Sequence, residues 1–415
     1  MKFYLQLVLL LSSTLFVFSC KKRATESNIE LTELSKDSVI KKKETSKHFE
    51  YKYVIAPSGL NYRDFPNGNI LGKFSWREKV EYLFDTEQTQ KIIDNYEEVK
   101  GTWVAVKHEK DTVFIFSHYV SNSEPSFSNI KLYYADAYSK LKLKPSNKLD
   151  IRQAFVNVSE SFNMPENFIH EKDLLKDTIH FNKKQRIEFL KRMNYSEKDT
   201  IFIYNITSGL VKKHLVKKTP LIACISLYSQ IEEEYKEENY NQWDYQIGFN
   251  LGKSNHDGFA IIGKENPFIE KGLKPLVFEE MSLEMINSNI KNKLISKSWI
   301  NDTVYKTYTS KYENIRSFVK MKKGYNNWAD LIFKNIDTKD SYHIYQSEGE
   351  SSSKAPLEIK EEKPQYNESH QYIGRLFKNK PPVTFGFIWE SFGCPQIHFL
   401  DKDELPILIL CDNRH

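Results

Sequence analysis

The chain has 415 residues and a formal net charge of +5, with 40% hydrophobic and 14% aromatic residues. This length allows two or three domains, and the apolar fraction excludes a disordered polymer. The mild charge, with lysine and glutamate mixed along the chain, gives no support for nucleic-acid binding. The 24 tyrosines and 27 phenylalanines, against 15 glycines, favour a β-rich protein.

A short apolar segment from Leu5 to Phe18 follows the first two residues and leads to Cys20. It is too short to span a bilayer as a mature helix, and its charged start, apolar run and small residue are typical of a secretory signal. Residues 17–20, Val-Phe-Ser-Cys, resemble the lipobox of bacterial lipoproteins. In that family the cysteine is acylated and becomes the new N-terminus. The resemblance implies that residues 1–19 are removed and that Cys20 attaches the chain to a membrane.

Residues 20–50 have the polar composition of a spacer. The basic residues at 21–23 either rest on anionic headgroups or are simply solvated. In some lipoproteins an acidic run after the cysteine precedes export to the cell surface, and none is present here. We therefore expect anchoring at the periplasmic face of the outer membrane. The lysine, asparagine, isoleucine and tyrosine content is typical of AT-rich bacterial genomes such as those of Bacteroidota.

Residues 51–121 are predicted to form short strands separated by turn-forming residues, the pattern of a small barrel. A loop is expected from Pro57 to Asn69, and a polar insert from Asp85 to Glu98 separates the middle strands. The predicted strands are Tyr51–Ala56, Lys79–Phe84, Thr102–Val106 and Thr112–Phe116.

Five elements of this region occur in the order found in bacterial SH3-like domains. They are the Gly-Leu-Asn-Tyr-Arg run at 59–63, Pro66 with Gly72, Trp103–Val106, Phe114-Ile115 and Tyr119-Val120. The region therefore resembles that family, although Val113-Phe114 replaces its usual Gly-Trp pair. The resemblance implies an SH3-like barrel with an aromatic groove for extended peptide, and peptidoglycan as the usual partner. The groove residues would be Tyr62, Phe65, Trp76, Trp103 and Tyr119. Alternatively, Trp103 belongs to the core and Tyr62 and Tyr119 are half-buried, while Arg63 and Asp64 pair within their loop.

Residues 130–415 are predicted to form a larger α+β domain with a long loop at 347–366. Helices are expected at 183–194, 278–298 and 303–320. Strands are expected at 200–204, 221–228, 245–251, 258–262, 383–389, 396–400 and 405–410. The three strands of the tail are too few to be stable alone, so we expect them to pair with the strands at 200–262.

The cysteines other than Cys20 are Cys224, Cys394 and Cys411. An oxidising compartment favours one disulfide and one buried thiol, and Cys394 with Cys411 is the pair closest in sequence. Cys394 and His398 also have the residue types of a Cys–His nucleophile. A cysteine followed by proline between two strands lacks the helix N-terminus that would lower the thiol pKa, so a structural cysteine is the favoured interpretation.

The remaining motifs do not indicate a reaction. His256 and Asp257 stand in a turn-like Asp-Gly setting, and the chain has no zinc spacing, Walker, Gly-x-Gly-x-x-Gly, Gly-x-Ser-x-Gly or His-Glu-x-x-His pattern. We therefore expect no catalytic residue, no metal and no cofactor. The sequence favours a β-rich, multi-domain, non-enzymatic envelope lipoprotein that contacts peptidoglycan or an envelope protein, and no nucleic acid. Two alternatives remain open: a cell-wall hydrolase with an unrecognised catalytic domain, and a periplasmic inhibitor or immunity-type lipoprotein.

Overall fold

The computed structural model is β-rich, and two α-helices occur among the residues that it describes. Those residues are 50–56, 58–94, 97–138, 153–174, 176, 178–226, 240–252, 258–300, 304–322, 328–344, 352–360, 371–390 and 393–411. Residues 49–415 form one compact unit. Across the described ranges, no helix combines the length and apolar character needed to cross a bilayer.

The first sheet consists of seven strands, all from residues 50–121. They are β1 (Glu50–Val54), β2 (Leu60–Arg63), β3 (Ile70–Phe74), β4 (Lys79–Asp94), β5 (Glu97–His108), β6 (Asp111–Phe116) and β7 (Val120–Ser121). They are hydrogen-bonded in the order β3-β2-β6-β5-β4-β1-β7. Alternate residues Val104 and Val106 of β5 and Val113 and Ile115 of β6 are buried in one core. The intervening Trp103 and Ala105 of β5 are buried as well, so both faces of this strand are covered.

The polar insert at 85–98 does not form the loop expected from the sequence. It continues β4 and β5 as a paired hairpin from Thr89↔Thr102 to Asp94↔Glu97, after an irregularity between Asp85 and Thr89. Isoleucine, valine and threonine in this stretch favour the extended backbone, which the polar composition had obscured. The predicted loop at 57–69 likewise contains β2, and β3 follows directly after it.

The second sheet has thirteen strands and unites the middle of the chain with its tail. Its earlier strands are β8 (Leu132–Tyr138), β9 (Gln153–Asn157), β10 (Thr178–His180), β11 (Thr200–Asn205), β12 (Val211–Leu215), β13 (Leu221–Ile225), β14 (Tyr245–Gly252), β15 (Gly258–Gly263) and β16 (Leu273–Pro275). The third sheet follows in sequence with β17 (Glu279–Glu280), β18 (Val304–Tyr312), β19 (Ile315–Lys322), β20 (Trp328–Asn335) and β21 (Ser341–His343). The last strands are β22 (Ser352–Lys354), β23 (Tyr372–Gly374), β24 (Val383–Phe385), β25 (Ile388–Glu390), β26 (Gln396–Phe399) and β27 (Ile407–Leu410).

The main path of the second sheet runs β10-β13-β14-β9-β8-β27-β26-β24-β23-β16, with β15 joining β8 to β11 and β11 joining β12. The final strand β27 lies parallel to β8 and antiparallel to β26. The tail strands β24, β26 and β27 therefore lie in the same sheet as β11, β13, β14 and β15. Strands β22 and β25 pair separately, and β22 falls within the stretch that was expected to be a loop.

The two helices match the predictions to different degrees. Helix α1 (Lys183–Arg192) lies where a helix was predicted, and Asn182 with Gln185 forms a capping box at its start. It buries Phe189 and Leu190, whereas Ile187 is 54% exposed. Helix α2 (Leu283–Lys291) is shorter than the predicted segment at 278–298.

The predicted helix at 303–320 is wrong. This segment forms the antiparallel hairpin β18–β19, in which Tyr312 pairs with Ile315 across a two-residue turn at Glu313 and Asn314. Its threonines, tyrosines and valine prefer the pleated backbone, and burial of Thr307 and Thr309 beside Tyr308 shows that both faces of β18 are covered. Covering both faces removes the alternation that identifies a strand.

Candidate functional site: a polar cavity on the first sheet

A cavity of about 260 Å³ lies on the first sheet, between β2, the far half of the β4–β5 hairpin and the turn at 117–119. The side chains on which the site depends are Asn61, Arg63, Gln90, Asp94, Trp103 and Tyr119. They combine a cation, a carboxylate, amides and two aromatic rings. The cavity therefore offers hydrogen bonds of both polarities over an aromatic floor.

The hairpin supplies its share of the cavity through strand periodicity. Gln90, Ile92 and Asp94 alternate along β4 and line the cavity. Ile93 lies between them, so its side chain points to the opposite face and is 71% exposed. A shift of register by one residue would exchange these two sets, so the pairing of Gln90 with Gly101 and Ile92 with Val99 sets the chemistry of the cavity.

Trp103 forms the buried floor of the cavity, with 6% of its surface exposed. Its indole Nε1 donates a hydrogen bond to Oε1 of Gln90 at 2.8 Å, and its carbonyl oxygen accepts one from Oγ1 of Thr86, also at 2.8 Å. The guanidinium of Arg63 lies 5.6 Å from the ring centroid, within the range of a cation–π contact. Trp103 is thus both a core residue and a wall of the cavity.

Tyr119 closes the side of the cavity nearest to the hairpin tip. Its hydroxyl donates a hydrogen bond to Oδ2 of Asp94 at 2.5 Å. Burial, together with the hydrogen bond to Asp94 and its negative charge, raises the pKa of Tyr119 well above its ordinary value. The phenol therefore stays protonated at any physiological pH and remains a donor to Asp94.

The loop after β2 holds the cation in place. Nη1 of Arg63 donates to the carbonyl oxygen of Gly68 at 2.5 Å. Oδ1 of Asp64 accepts from the backbone nitrogens of Phe65 at 2.9 Å and Asn69 at 2.8 Å. Both charged residues thus bond within their loop, to separate partners, while the guanidinium still lines the cavity.

The five aromatic residues predicted for the groove do not lie together. Trp103 and Tyr119 line the cavity, whereas Tyr62 bonds to Nε2 of His108 at 3.0 Å and packs on Phe74. Phe65 is exposed on its loop.

Trp76, the fifth aromatic residue, is half-buried beside the guanidinium of Arg77. Arg77 pairs with Glu124 and donates to the carbonyl oxygen of Asp403, so Trp76 stands where the first sheet meets the tail of the chain. The residues that sequence reasoning missed are Gln90 and Asp94. Their alternation with Lys91 and Ile93 in the insert was the available signal.

Cys394 and Cys411 form a disulfide, and the sulfur of Cys224 is buried and belongs to no disulfide. In this state Cys394 has no thiol to act as a nucleophile. His398 lies in β26 opposite Thr384, and burial lowers the pKa of its imidazole.

The structure does not describe some of the positions predicted from the sequence. Cys20 and the spacer, and also His256 and Asp257, lie outside the described residues. In the ranges that are described, no group of three or more histidine, cysteine, aspartate or glutamate side chains is arranged to hold a metal ion. Comparison of the chain with protein-family models, curated proteins and solved structures finds no match. The function is therefore argued from the geometry of the cavity.

Proposed function

We propose that this protein is a non-enzymatic envelope lipoprotein, attached to a membrane through Cys20, whose first sheet is an SH3-like module that binds cell-wall peptide. The observation that carries the proposal is the polar cavity, where the guanidinium of Arg63 lies over the ring of Trp103 and the carboxylate of Asp94 lines the same space. Cell-wall stem peptides bear carboxylates and amines on an extended backbone. A cation, a carboxylate and an aromatic surface in one cavity suit such a ligand.

Two further features support an envelope location. A disulfide between Cys394 and Cys411 is the kind of bond that persists in secreted and periplasmic proteins. The lipobox-like run at 17–20 adds a membrane anchor. The same disulfide argues against a hydrolase that uses Cys394 as its nucleophile.

A second candidate function is binding of a protein partner, as expected of an inhibitor or immunity-type lipoprotein. The observation in its favour is an open groove of about 660 Å³ beside α1, lined by Ile93, Ile187, Leu190 and Tyr195 among others. Ile93 and Ile187 are the exposed apolar residues of this groove. Such surfaces are commonly protein contacts.

Binding to purified peptidoglycan sacculi tests the first proposal. Residues 49–415 form one unit, so this fragment can be used without the proposed lipid anchor. Asn61→Trp places a bulky ring in the cavity from an exposed position, and Thr112→Trp is its matched control on an exposed position of the same sheet. We expect co-sedimentation with sacculi to be lost in Asn61→Trp and kept in Thr112→Trp. Equal binding by both variants would exclude the cavity as the site that binds sacculi. If the unsubstituted fragment did not bind sacculi at all, binding of a protein partner would become the leading function.

The lipid anchor has an independent test. Metabolic labelling of the full chain with a radioactive fatty acid should be abolished by Cys20→Ser. The control Cys224→Ser removes a buried thiol and should leave the label in place. Retention of the label in Cys20→Ser would show that the resemblance to a lipobox is misleading.

A further inference from the structure

Residues 212–218 are strongly basic. They include most of β12, at an edge of the second sheet, and the turn that follows it. Lys212 and Lys213 lie in β12, where their side chains leave opposite faces of the edge strand, and Lys217 and Lys218 lie in the short 3-10 turn at Val216–Lys218. All four lysine side chains are exposed. The seven residues that contain them span at most about 25 Å. Neighbouring ammonium groups are therefore within about one to two Debye lengths of each other at physiological salt.

These four lysines, called the basic edge below, are not neutralised by the protein. None of them takes part in an ion pair within the described part of the chain. Nearby carboxylates bond elsewhere. Glu197 pairs with Arg186 at 2.7 Å, and Oε1 of Glu270 accepts from the backbone nitrogen of Val211 at 3.1 Å. The basic edge thus presents an excess of positive charge, four exposed lysines against the nearby carboxylate of Glu270.

The backbone beneath the basic edge is held rigidly. Arg186 donates to the carbonyl oxygens of Val216 at 2.5 Å and Thr219 at 3.0 Å. Oγ1 of Thr219 donates to the carbonyl oxygen of Leu215 at 2.9 Å. Because the turn is already ordered, an anionic surface could bind the lysines without first ordering their backbone.

The free side of the strand adds exposed apolar groups to this charge. Among the strands that the structure describes, β12 is hydrogen-bonded to β11 alone, so its other side is an edge of the described sheet. Leu210 and Leu215 flank the first two lysines and are 46% and 39% exposed. Cations interspersed with leucines match the boundary of an anionic bilayer, where phosphates meet acyl chains. A partner that bound through charge alone would not need to contact the leucines.

We propose that the basic edge docks on the anionic phospholipid headgroups of a membrane. The inference rests on the proposed envelope location, but it needs neither the lipid anchor nor the cavity. Each lysine close to an anionic surface is attracted to it, and four lysines together are enough for weak, salt-sensitive adhesion. On a lipid-anchored protein this adhesion would set the orientation of the second sheet at the membrane.

Vesicle co-sedimentation tests the proposal with residues 49–415, which lack the signal, the acylated cysteine and the basic triplet at 21–23. The vesicles are phosphatidylcholine alone or phosphatidylcholine with phosphatidylglycerol. We expect binding only to the anionic vesicles, and weaker binding as salt is raised. Substituting all four residues of the basic edge by glutamine should reduce the apparent affinity at least tenfold. Each pair alone, Lys212 with Lys213 or Lys217 with Lys218, should give an intermediate loss.

The matched control replaces four exposed lysines that lie apart from one another, namely Lys73, Lys110, Lys297 and Lys402. With glutamine at these four positions, the net charge changes by the same amount as in the basic-edge variant. Vesicle binding should stay within about twofold of the unsubstituted protein, because salt screens the attraction of separate lysines to the membrane. If both variants lost the same amount of vesicle binding, net charge alone would explain the binding and the proposal would be overturned. Unchanged vesicle binding with new aggregation of the basic-edge variant would also overturn it, because the lysines would then protect an edge strand.

The cavity variant Asn61→Trp separates this inference from peptidoglycan binding. It should bind anionic vesicles as the unsubstituted protein does. If sacculus binding fails while vesicle binding depends on the basic edge, the cavity proposal alone is wrong. If vesicle binding is absent while sacculi are bound, the membrane inference alone is wrong.

Discussion

The hydroxyl of Tyr119 donates to Oδ2 of Asp94 at 2.5 Å, and this bond joins the turn after β6 to the tip of the β4–β5 hairpin. The two residues are 25 positions apart in sequence. Their contact holds the far half of the hairpin over Trp103, where Gln90 makes a second bond to the indole. The cavity therefore depends on two side-chain hydrogen bonds that residues of the insert accept, and not on strand pairing alone.

Tyr119→Phe should loosen the hairpin and weaken the cavity. It removes a hydrogen bond to a charged acceptor, and we expect the free energy of unfolding to fall by about 1–2 kcal/mol. Sacculus binding should fall as well, because Asp94 would no longer be held in place. Urea denaturation and sacculus co-sedimentation measure the two effects.

Tyr62→Phe is the matched control for this experiment. It also removes one tyrosine hydroxyl from the first sheet, but that hydroxyl bonds to His108 away from the cavity. It should affect stability and leave sacculus binding unchanged. If both variants lose binding equally, the bond between Tyr119 and Asp94 has no special part in the site.

The disulfide between Cys394 and Cys411 should stabilise the fold by restricting the unfolded chain. The two cysteines are 17 positions apart, and closing a loop of this length contributes about 3 kcal/mol. The double variant Cys394→Ser with Cys411→Ser should lose this amount in urea denaturation and become insensitive to reductant. Cys224→Ser keeps the disulfide and should stay sensitive. A wild-type protein whose unfolding is unaffected by reductant would contradict the assignment.

Strand β15 offers a matched pair of glycines. A Cβ at Gly258 would lie 1.9 Å from the carbonyl oxygen of Tyr204, whereas a Cβ at Gly263 would meet nothing within 4 Å. Gly258→Ala must push β11 and β15 apart, and we expect a loss of about 1–3 kcal/mol in the free energy of unfolding. Gly263→Ala should be neutral or slightly stabilising, because it restricts the unfolded chain. Thermal or urea unfolding of the two variants measures the difference. Similar losses of unfolding free energy in both would contradict the close approach of Gly258 to the carbonyl oxygen of Tyr204.

Local patterns predicted much of the β-structure and helix α1. Helix α1 was accessible because apolar residues recur in it at helical spacing, and the strands at 102–106 and 112–116 because they are short runs of β-branched and aromatic residues bounded by turn-forming residues. The hairpin β18–β19 was missed. Both faces of β18 are covered, so apolar and small polar residues succeed one another without a period of two.

The cavity could be predicted only in part. Trp103 and Tyr119 were found through resemblance, since they stand at matching positions of a short motif. Asp94 and Gln90 reach the cavity through the pairing of β4 with β5, which depends on a register shift between Asp85 and Thr89. Such an irregularity arises from the packing of two strands, and local composition does not specify it.

Acidification should destabilise the protein through the half-buried histidines His214 and His398. Burial lowers the pKa of His398, and burial with the positive charge of Lys212 lowers that of His214. In the folded protein both rings take up a proton only at a lower pH than in the unfolded chain, which binds protons below about pH 6.5. The free energy of unfolding should therefore be highest above pH 6.5 and fall as the pH drops toward the folded pKa values.

His398→Gln should flatten this slope between pH 7 and about pH 5 without abolishing it, because His214 still contributes. The carboxylates of Asp173 and Glu197, whose pKa values are lowered mainly by hydrogen bonds to Lys176 and Arg186, lose their contributions only below about pH 4. Urea denaturation at a series of pH values gives the slope. Gln396→Ala removes a half-buried, non-titrating neighbour on the same strand and should keep the wild-type slope. A slope unchanged by His398→Gln would mean that the imidazole is protonated without penalty, in contradiction to its burial.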